Sequence, residues 1–360
     1  MIVRFVEGPA REPSPVQGPD GRYAHELIIP FTLDQGEAPR IPRRRAPPSV
    51  HESRRRFQPG TEWLYANLYG PVAGADRVLV EHVGPLARSL REAGLVDRWF
   101  FIRYADPERH LRVRLHGRPR DLLREALPAL HEATANPMAE GLLYRISLDT
   151  YEREIERYGG VDGVELMEHA AEVDSAAVID VLGHPLSGVE RRHLTVASLA
   201  GLYEDAGLTL GARHACCDAL RTAWARAGSG SLGRRLGAEE RSERAQLADT
   251  VAALERDDAE PRIAALRARS AALAPILGRL RALEEEGILE RPFDDIMCSL
   301  AHMGVNRLLK RGANHDELRV HDALARLYQA RIARADSSRR SPDANLDQAR
   351  AAERLEAGPR

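Results

Sequence analysis

The hydrophobic pattern of this chain changes its period partway along. Up to about residue 151 several segments alternate apolar and polar residues, whereas from residue 163 onward apolar residues recur at helical spacing. Alternation marks half-buried strands and a 3.6-residue period marks amphipathic helices. The strand segments are the aromatic-rich Gly60-Thr61-Glu62-Trp63-Leu64-Tyr65 running to Tyr69, the buried-type Trp99 to Tyr104, and the alternating Leu111 to His116 and Tyr144 to Tyr151. Helices are expected at 76–93, closed by Gly94, and at 119–133. The later helices are expected at 163–183, 188–207, 211–227, 238–257, 260–287, 294–311 and 314–335. A strand-rich first half followed by a helical second half predicts an α+β fold, with a mostly antiparallel sheet packed against helices.

The flanks read differently. Residues 7–22 are rich in Pro and Gly and are expected to be loop, followed by a short strand at 25–31. Residues 34–56 carry several prolines and the runs Arg43-Arg44-Arg45 and Arg54-Arg55-Arg56, which predicts an exposed linker. A contact from those runs to an acidic partner or RNA stays open. The expected organisation is an extension over 1–55, a globular domain over 56–335 and a polar, frayed tail over 336–360.

Composition excludes several function classes. The net charge of −2 gives no whole-chain reason for nucleic-acid binding. Lys310 is the only lysine, so arginine supplies the remaining basic side chains apart from histidine. No run approaches the roughly 18 apolar residues of a membrane span, and the N-terminus does not read as a signal peptide. Cys216, Cys217 and Cys298 form neither a disulfide framework nor a zinc motif, which suits a cytoplasmic protein. No Walker loop, dinucleotide fingerprint, nucleophile elbow or His-Glu-x-x-His motif is present. No cofactor and no metal are therefore expected.

Three clusters are candidates for chemistry. In Leu111-Arg112-Val113-Arg114-Leu115-His116, alternation places Arg112, Arg114 and His116 on one face, with the two guanidinium groups about 7 Å apart at the backbone. Such a pair suits a carboxylate pair or a phosphate, although a solvated outer face has the same pattern. The segment Tyr151 to Gly160 concentrates arginine, glutamate, tyrosine and glycine, with Arg153 at a strand end. It reads equally as an exposed, salt-bridged turn. On the helix at 294–311, Cys298, His302 and Asn306 share a stripe, so Asn306 is placed to orient His302 as a proton carrier. A buried structural histidine is the alternative.

Taken together and in order, these segments resemble the C-terminal module of class I lantibiotic dehydratases and its stand-alone relatives in thiopeptide clusters. The matching pieces are Phe57 to Tyr65, Asp97 to Pro107 with His110 to Arg114, Tyr151 to Glu154 with Arg157 to Gly160, Asp174-Ser175, and His302-Met303 with Asn306-Arg307. The resemblance implies a lyase that removes glutamate from glutamylated serine or threonine of a ribosomal precursor peptide (leader plus core), leaving dehydroalanine or dehydrobutyrine. It implies Arg112, Arg114, Arg153 and His302 as catalytic residues, and Arg103, His110, Tyr151, Asn306 and Arg307 as substrate-binding residues. Residues 22–33 look like the tail of the glutamylating module, so a separate glutamyl-tRNA-dependent protein is the expected partner, with no direct tRNA requirement here. Homodimerisation stays open. The rival readings are a thiopeptide pyridine synthase, which joins two dehydroalanines by a formal cycloaddition, and a non-catalytic leader-binding subunit.

Overall fold

The computed structural model describes residues 17–18, 21–22, 52–106, 108–226, 245–254, 256, 260–310 and 314–340. The chain divides into two units, Met1–Ser49 and Val50–Arg360. In the first, Gln17–Gly18 pairs antiparallel with Gly21–Arg22, where the sequence reads as loop. The strand expected at 25–31 and the Gly/Ser loop at 228–233 lie outside the described residues.

The second unit carries the α+β architecture. Strands β1 (Trp63–Tyr69), β2 (Arg98–Tyr104), β3 (His110–His116) and β4 (Arg145–Asp149) form one antiparallel sheet in the order β2–β3–β1–β4. A separate ribbon pairs Arg56–Phe57 with Tyr151–Glu152. The basic segment before residue 57 is therefore not wholly linker: Arg55 pairs with Glu156, and Arg56 with Glu152.

Alternation along the strands separates two faces. Leu64, Ala66 and Leu68 of β1 and Leu111, Val113 and Leu115 of β3 turn into one core cluster. Helices Val72–Val78 and Gly84–Glu92, joined by a π-helical turn, lie beside it, and Gly94 at φ 66° ends that run. On the opposite face, register aligns Phe100, Arg114, Tyr65 and Asp149 in one row and Ile102, Arg112, Asn67 and Ser147 in the next.

The helical half consists of α1 (Val161–Leu182), α2 (Gly188–Asp205), α3 (Leu210–Arg226), α4 (Pro261–Glu285), α5 (Phe293–Leu308) and α6 (Asn314–Arg340), with a further helix at 245–253. No described helix is long and apolar enough to cross a membrane. The polar tail expected from residue 336 begins as helix, because α6 continues to Arg340. The structure joins Cys216 of α3 to Cys298 of α5, a pairing that an odd count of cysteines 82 positions apart did not disclose.

The two halves meet along the free edge of β2. An edge strand leaves every second N–H and C=O without a partner. Here side chains supply the partners. Ser175 Oγ accepts from Phe101 N at 3.2 Å, and Arg307 Nε donates to Phe101 O at 3.0 Å. Asn306 closes a two-bond ring on Arg103, accepting from its N–H at 2.9 Å and donating to its carbonyl at 2.8 Å. Behind this seam Asp174 binds Arg307 at 3.0 Å and Arg269 at 2.6 Å, all three buried. Burial pushes the Asp174 carboxyl up, but the two guanidinium groups outweigh it and hold its pKa below the usual range.

The connection into α1 is fixed by glycines. A 3-10 turn, Ile155–Tyr158, passes through Gly159 and Gly160, both at positive φ (81° and 106°), before the helix begins. A side chain at Gly163 would collide with the Tyr158 carbonyl.

Truncating Asn306 should unfasten the seam. Asn306→Ala leaves a donor and an acceptor of Arg103 unsatisfied, and urea denaturation should show a loss of about 2 kcal/mol or more. An unchanged midpoint would mean that the ring contributes nothing to docking.

Candidate active site

The second sheet face is not a wet outer surface. Arg114 is 7% exposed and sits among aromatic rings, with its guanidinium carbon 4.6 Å from the Tyr65 ring centre, 5.1 Å from Phe100 and 4.5 Å from Tyr151. Aromatic faces attract a cation without neutralising it. Its Nε has no hydrogen-bond partner, and no ion pair joins Arg114 to any described carboxylate. Arg112, half-buried one row along, lies 3.4 Å over the Tyr104 ring and likewise has no ion pair among the described residues.

His110 tunes Arg112. Its Nδ1 lies 2.7 Å from the Glu108 carbonyl, and its Nε2 lies 3.1 Å from Arg112 Nε. A carbonyl only accepts and a guanidinium only donates, so the ring carries its hydrogen on Nδ1 and is neutral. Burial lowers its pKa, and nearby Arg112 and Arg145 lower it further. His110 thus presents a lone pair to Arg112 and leaves its charge uncompensated.

Arg153 is placed differently from expectation. It forms a forked pair with Glu168, Nε to Oε1 and Nη2 to Oε2, both at 2.7 Å. Glu168 also accepts from Tyr151 Oη at 2.9 Å and from Arg98 at 2.7 Å, and it is fully buried. Arg153 and Tyr151 are therefore held by a carboxylate, and their placement supports the wall around Arg114. The neighbouring Arg157 is more open. It bonds Glu154 at 2.7 Å and lies within electrostatic reach of Tyr158 and Glu317. Tyr158 is buried, which raises its pKa, while Arg157 and Arg114 act in the opposite direction.

His302 stands on α5, about a quarter exposed, with its Nδ1 2.7 Å from Glu317 Oε1. The carboxylate only accepts, so Nδ1 carries the hydrogen. Glu317, not Asn306, orients this ring; Asn306 is committed to the β2 edge. Burial pushes the Glu317 carboxyl up, but the hydrogen bond from His302 and the nearby His321 ring, whose Nε2 lies 3.5 Å away, prevail and hold it at about 2. Cys298, expected beside His302, is bonded to Cys216.

The other expected substrate contacts are also engaged by the protein. Arg307 is 2% exposed and divides its donors between Asp174 and Phe101. Arg103 donates to the Arg307 carbonyl at 2.8 Å and to Asp76 at 2.7 Å. The cause is common to Arg103, Arg153 and Arg307: a buried guanidinium needs a carboxylate or carbonyls within reach. One signal was present in the sequence. On α1, Glu168, Asp174 and Ser175 share the buried stripe of Val164, Ala171 and Val178, where polar residues must have a specific partner. Glu317 gave no such signal, since it lies fifteen positions from His302 and on the following helix. Among the described residues no group of three or more His, Cys, Asp or Glu is arranged to hold a metal ion.

The fold and site therefore define an α+β protein with an anion-receptive arginine face and a carboxylate-oriented histidine. The chain belongs to the lantibiotic biosynthesis dehydratase C-terminal family, which matches residues 63–328. It is 30% identical over 168 residues to nisin biosynthesis protein NisB of Lactococcus lactis subsp. lactis, covering 46% of this chain and 16% of that one. It is 29% identical over 157 residues to subtilin biosynthesis protein SpaB of Bacillus subtilis, covering 43% and 15%. The matched stretches are thus a small share of those relatives. Among solved structures it resembles the tRNA-dependent lantibiotic dehydratase MibB from Microbispora sp. 107891, with TM-score 0.61, 27% identity, and coverage of 78% of this chain and 29% of that one. The pyridine synthase TbtD from thiomuracin biosynthesis shares the fold at TM-score 0.59 and 17% identity, over 75% and 99% of the two chains.

Two outcomes test these assignments. Arg153→Ala takes the forked partner from a fully buried carboxylate and leaves it Arg98 and Tyr151, so its stability should fall by about 2 kcal/mol; an unchanged denaturation midpoint would return Arg153 to the reactive groups. Glu317 has a folded-state pKa depressed from 4.5 to about 2. Its contribution is therefore present above about pH 4.5 and lost as pH falls toward 2. Acid titration of Glu317→Gln should lack that component, and curves of identical shape would contradict the pairing.

Proposed function

We propose that this chain eliminates glutamate from glutamylated serine or threonine side chains of a ribosomal precursor peptide, as a lyase working in the cytoplasm. The observation that carries this reading is the placement of Arg112 and Arg114 on one sheet face against aromatic rings, with no carboxylate ion pair among the described residues, supported by membership of a dehydratase family. In the reaction the Cα–H bond of the modified residue breaks and its electron pair becomes the Cα=Cβ bond. The Cβ–O bond breaks, and its pair leaves with the glutamate carboxylate. Negative charge develops first on the peptide carbonyl and then on the departing group. Fixed cations in a dry, aromatic setting stabilise such charge more than they do in water. Arg112 and Arg114 take that role. His302, held by Glu317, carries the proton through Nε2.

Residues 56–335 form the proposed elimination domain, with 1–55 as an extension and 336–360 as a tail. A preceding glutamyl-tRNA-dependent step supplies the glutamyl ester, and the elimination step itself uses no tRNA.

The test is mass spectrometry of a leader-bearing peptide with one glutamylated serine, incubated with this protein alone. The expected product has lost glutamic acid. Arg114→Lys keeps the charge but not the planar fork, and should be slower by at least about tenfold. His302→Ala should be slower by about a hundredfold or more. An intact ester in the wild-type reaction would overturn the proposal. Cyclisation of a fully dehydrated peptide would then favour pyridine formation, and binding without turnover a leader-binding role.

A further inference from the structure

A cavity of about 310 Å³ opens at the end of the sheet where β1, β2 and β3 finish or begin. One side is apolar, built by Leu68, Leu111 and Leu143. The other is cationic, with Arg103, Arg109 and Lys310. Tyr104 and His110 also line it, and these are the two residues that hold Arg112, so the cavity backs directly onto the arginine face.

The charges do not balance. Asp76 binds Arg103 at 2.7 Å, Lys310 at 3.2 Å and also Arg191, so one carboxylate serves three cations. Arg109 adds a fourth and has no ion pair among the described residues, while Asp106 supplies a second anion, leaving two positive charges over. Arg103 is 6% exposed and keeps one amino group, Nη1, without a hydrogen-bond partner. Such a buried donor is costly until something accepts from it. The volume is at the small end of ligand sites, room for one or two residues but not for a larger cofactor.

We propose that this cavity is a second ligand subsite, which takes an aliphatic side chain of leucine size adjoining a carboxylate. The leucine wall removes the aliphatic body from water, and Arg103, Lys310 and Arg109 meet the negative charge. The subsite is distinct from the reacting face, and its occupancy is read without elimination. Its proof therefore does not depend on the proposed reaction.

Lys310 is the only lysine in the chain, so its acylation reports on the site directly. The full chain is treated with an amine acylating reagent, and the Lys310 peptide is quantified by mass spectrometry. N-acetylleucine should slow its acylation at least threefold at saturation and give a saturable calorimetric signal. N-acetylleucinamide, with the same body and no charge, and acetate, with the charge and no body, should do neither. Arg109→Ala and Lys310→Ala should each weaken N-acetylleucine binding about tenfold. Equal binding of acid and amide, or no protection by either, overturns the proposal. Displacement of N-acetylleucine by a blocked peptide with an internal Leu-Asp pair, but not Leu-Asn, assigns the subsite to a peptide segment. Binding of the free acid alone assigns it to a small aliphatic carboxylate.

Discussion

The free edge of β2 offers backbone groups that no fifth strand pairs, and the helical half docks by satisfying them with side chains. Ser175, Asn306 and Arg307 do with four hydrogen bonds what another strand would do with its backbone. The arrangement works because α1 and α5 run beside the edge, so that residues far apart in sequence converge on Phe101 and Arg103. The Arg269–Asp174–Arg307 group locks those helices together behind the seam. Burying three charges is costly unless each is matched, and here one carboxylate lies between two guanidinium groups with a backbone carbonyl for each. The same seam fixes where α5 stands, and hence where His302 stands relative to the sheet.

Arginine chemistry in this chain divides by partner. Arg153, Arg269 and Arg307 are each paired with a buried carboxylate. Arg112 and Arg114 have rings instead. A ring shields a guanidinium from water and leaves its charge available, whereas a carboxylate spends it. That difference separates groups able to bind an anion from groups already bound to one. The neutral His110 beside Arg112 works in the same direction, since a protonated ring would repel its neighbour and a carboxylate there would quench it.

Much of this was legible in the sequence. The change of hydrophobic period gave an α+β fold and every strand of the main sheet, and strict alternation placed Arg112 and Arg114 on one face. What periodicity cannot give is the partner of a polar residue. Asn306 at i+4 from His302 satisfied a local spacing rule, yet its amide closes on a strand some two hundred positions earlier. Arg153 read as a reaching side chain because Glu168, its partner, was hidden in a helical run. Tertiary pairing decides such cases, and sequence spacing reports only neighbours on one element.

The central claim is that Arg112 and Arg114 form a receptor for the carboxylates of glutamate. The most direct measurement is calorimetric titration of the full chain with free glutamate, in wild type and in Arg112→Ala and Arg114→Ala. Binding that weakens steeply with salt and is lost in both variants is the predicted result. Glutamate affinity unchanged in both variants would contradict the account.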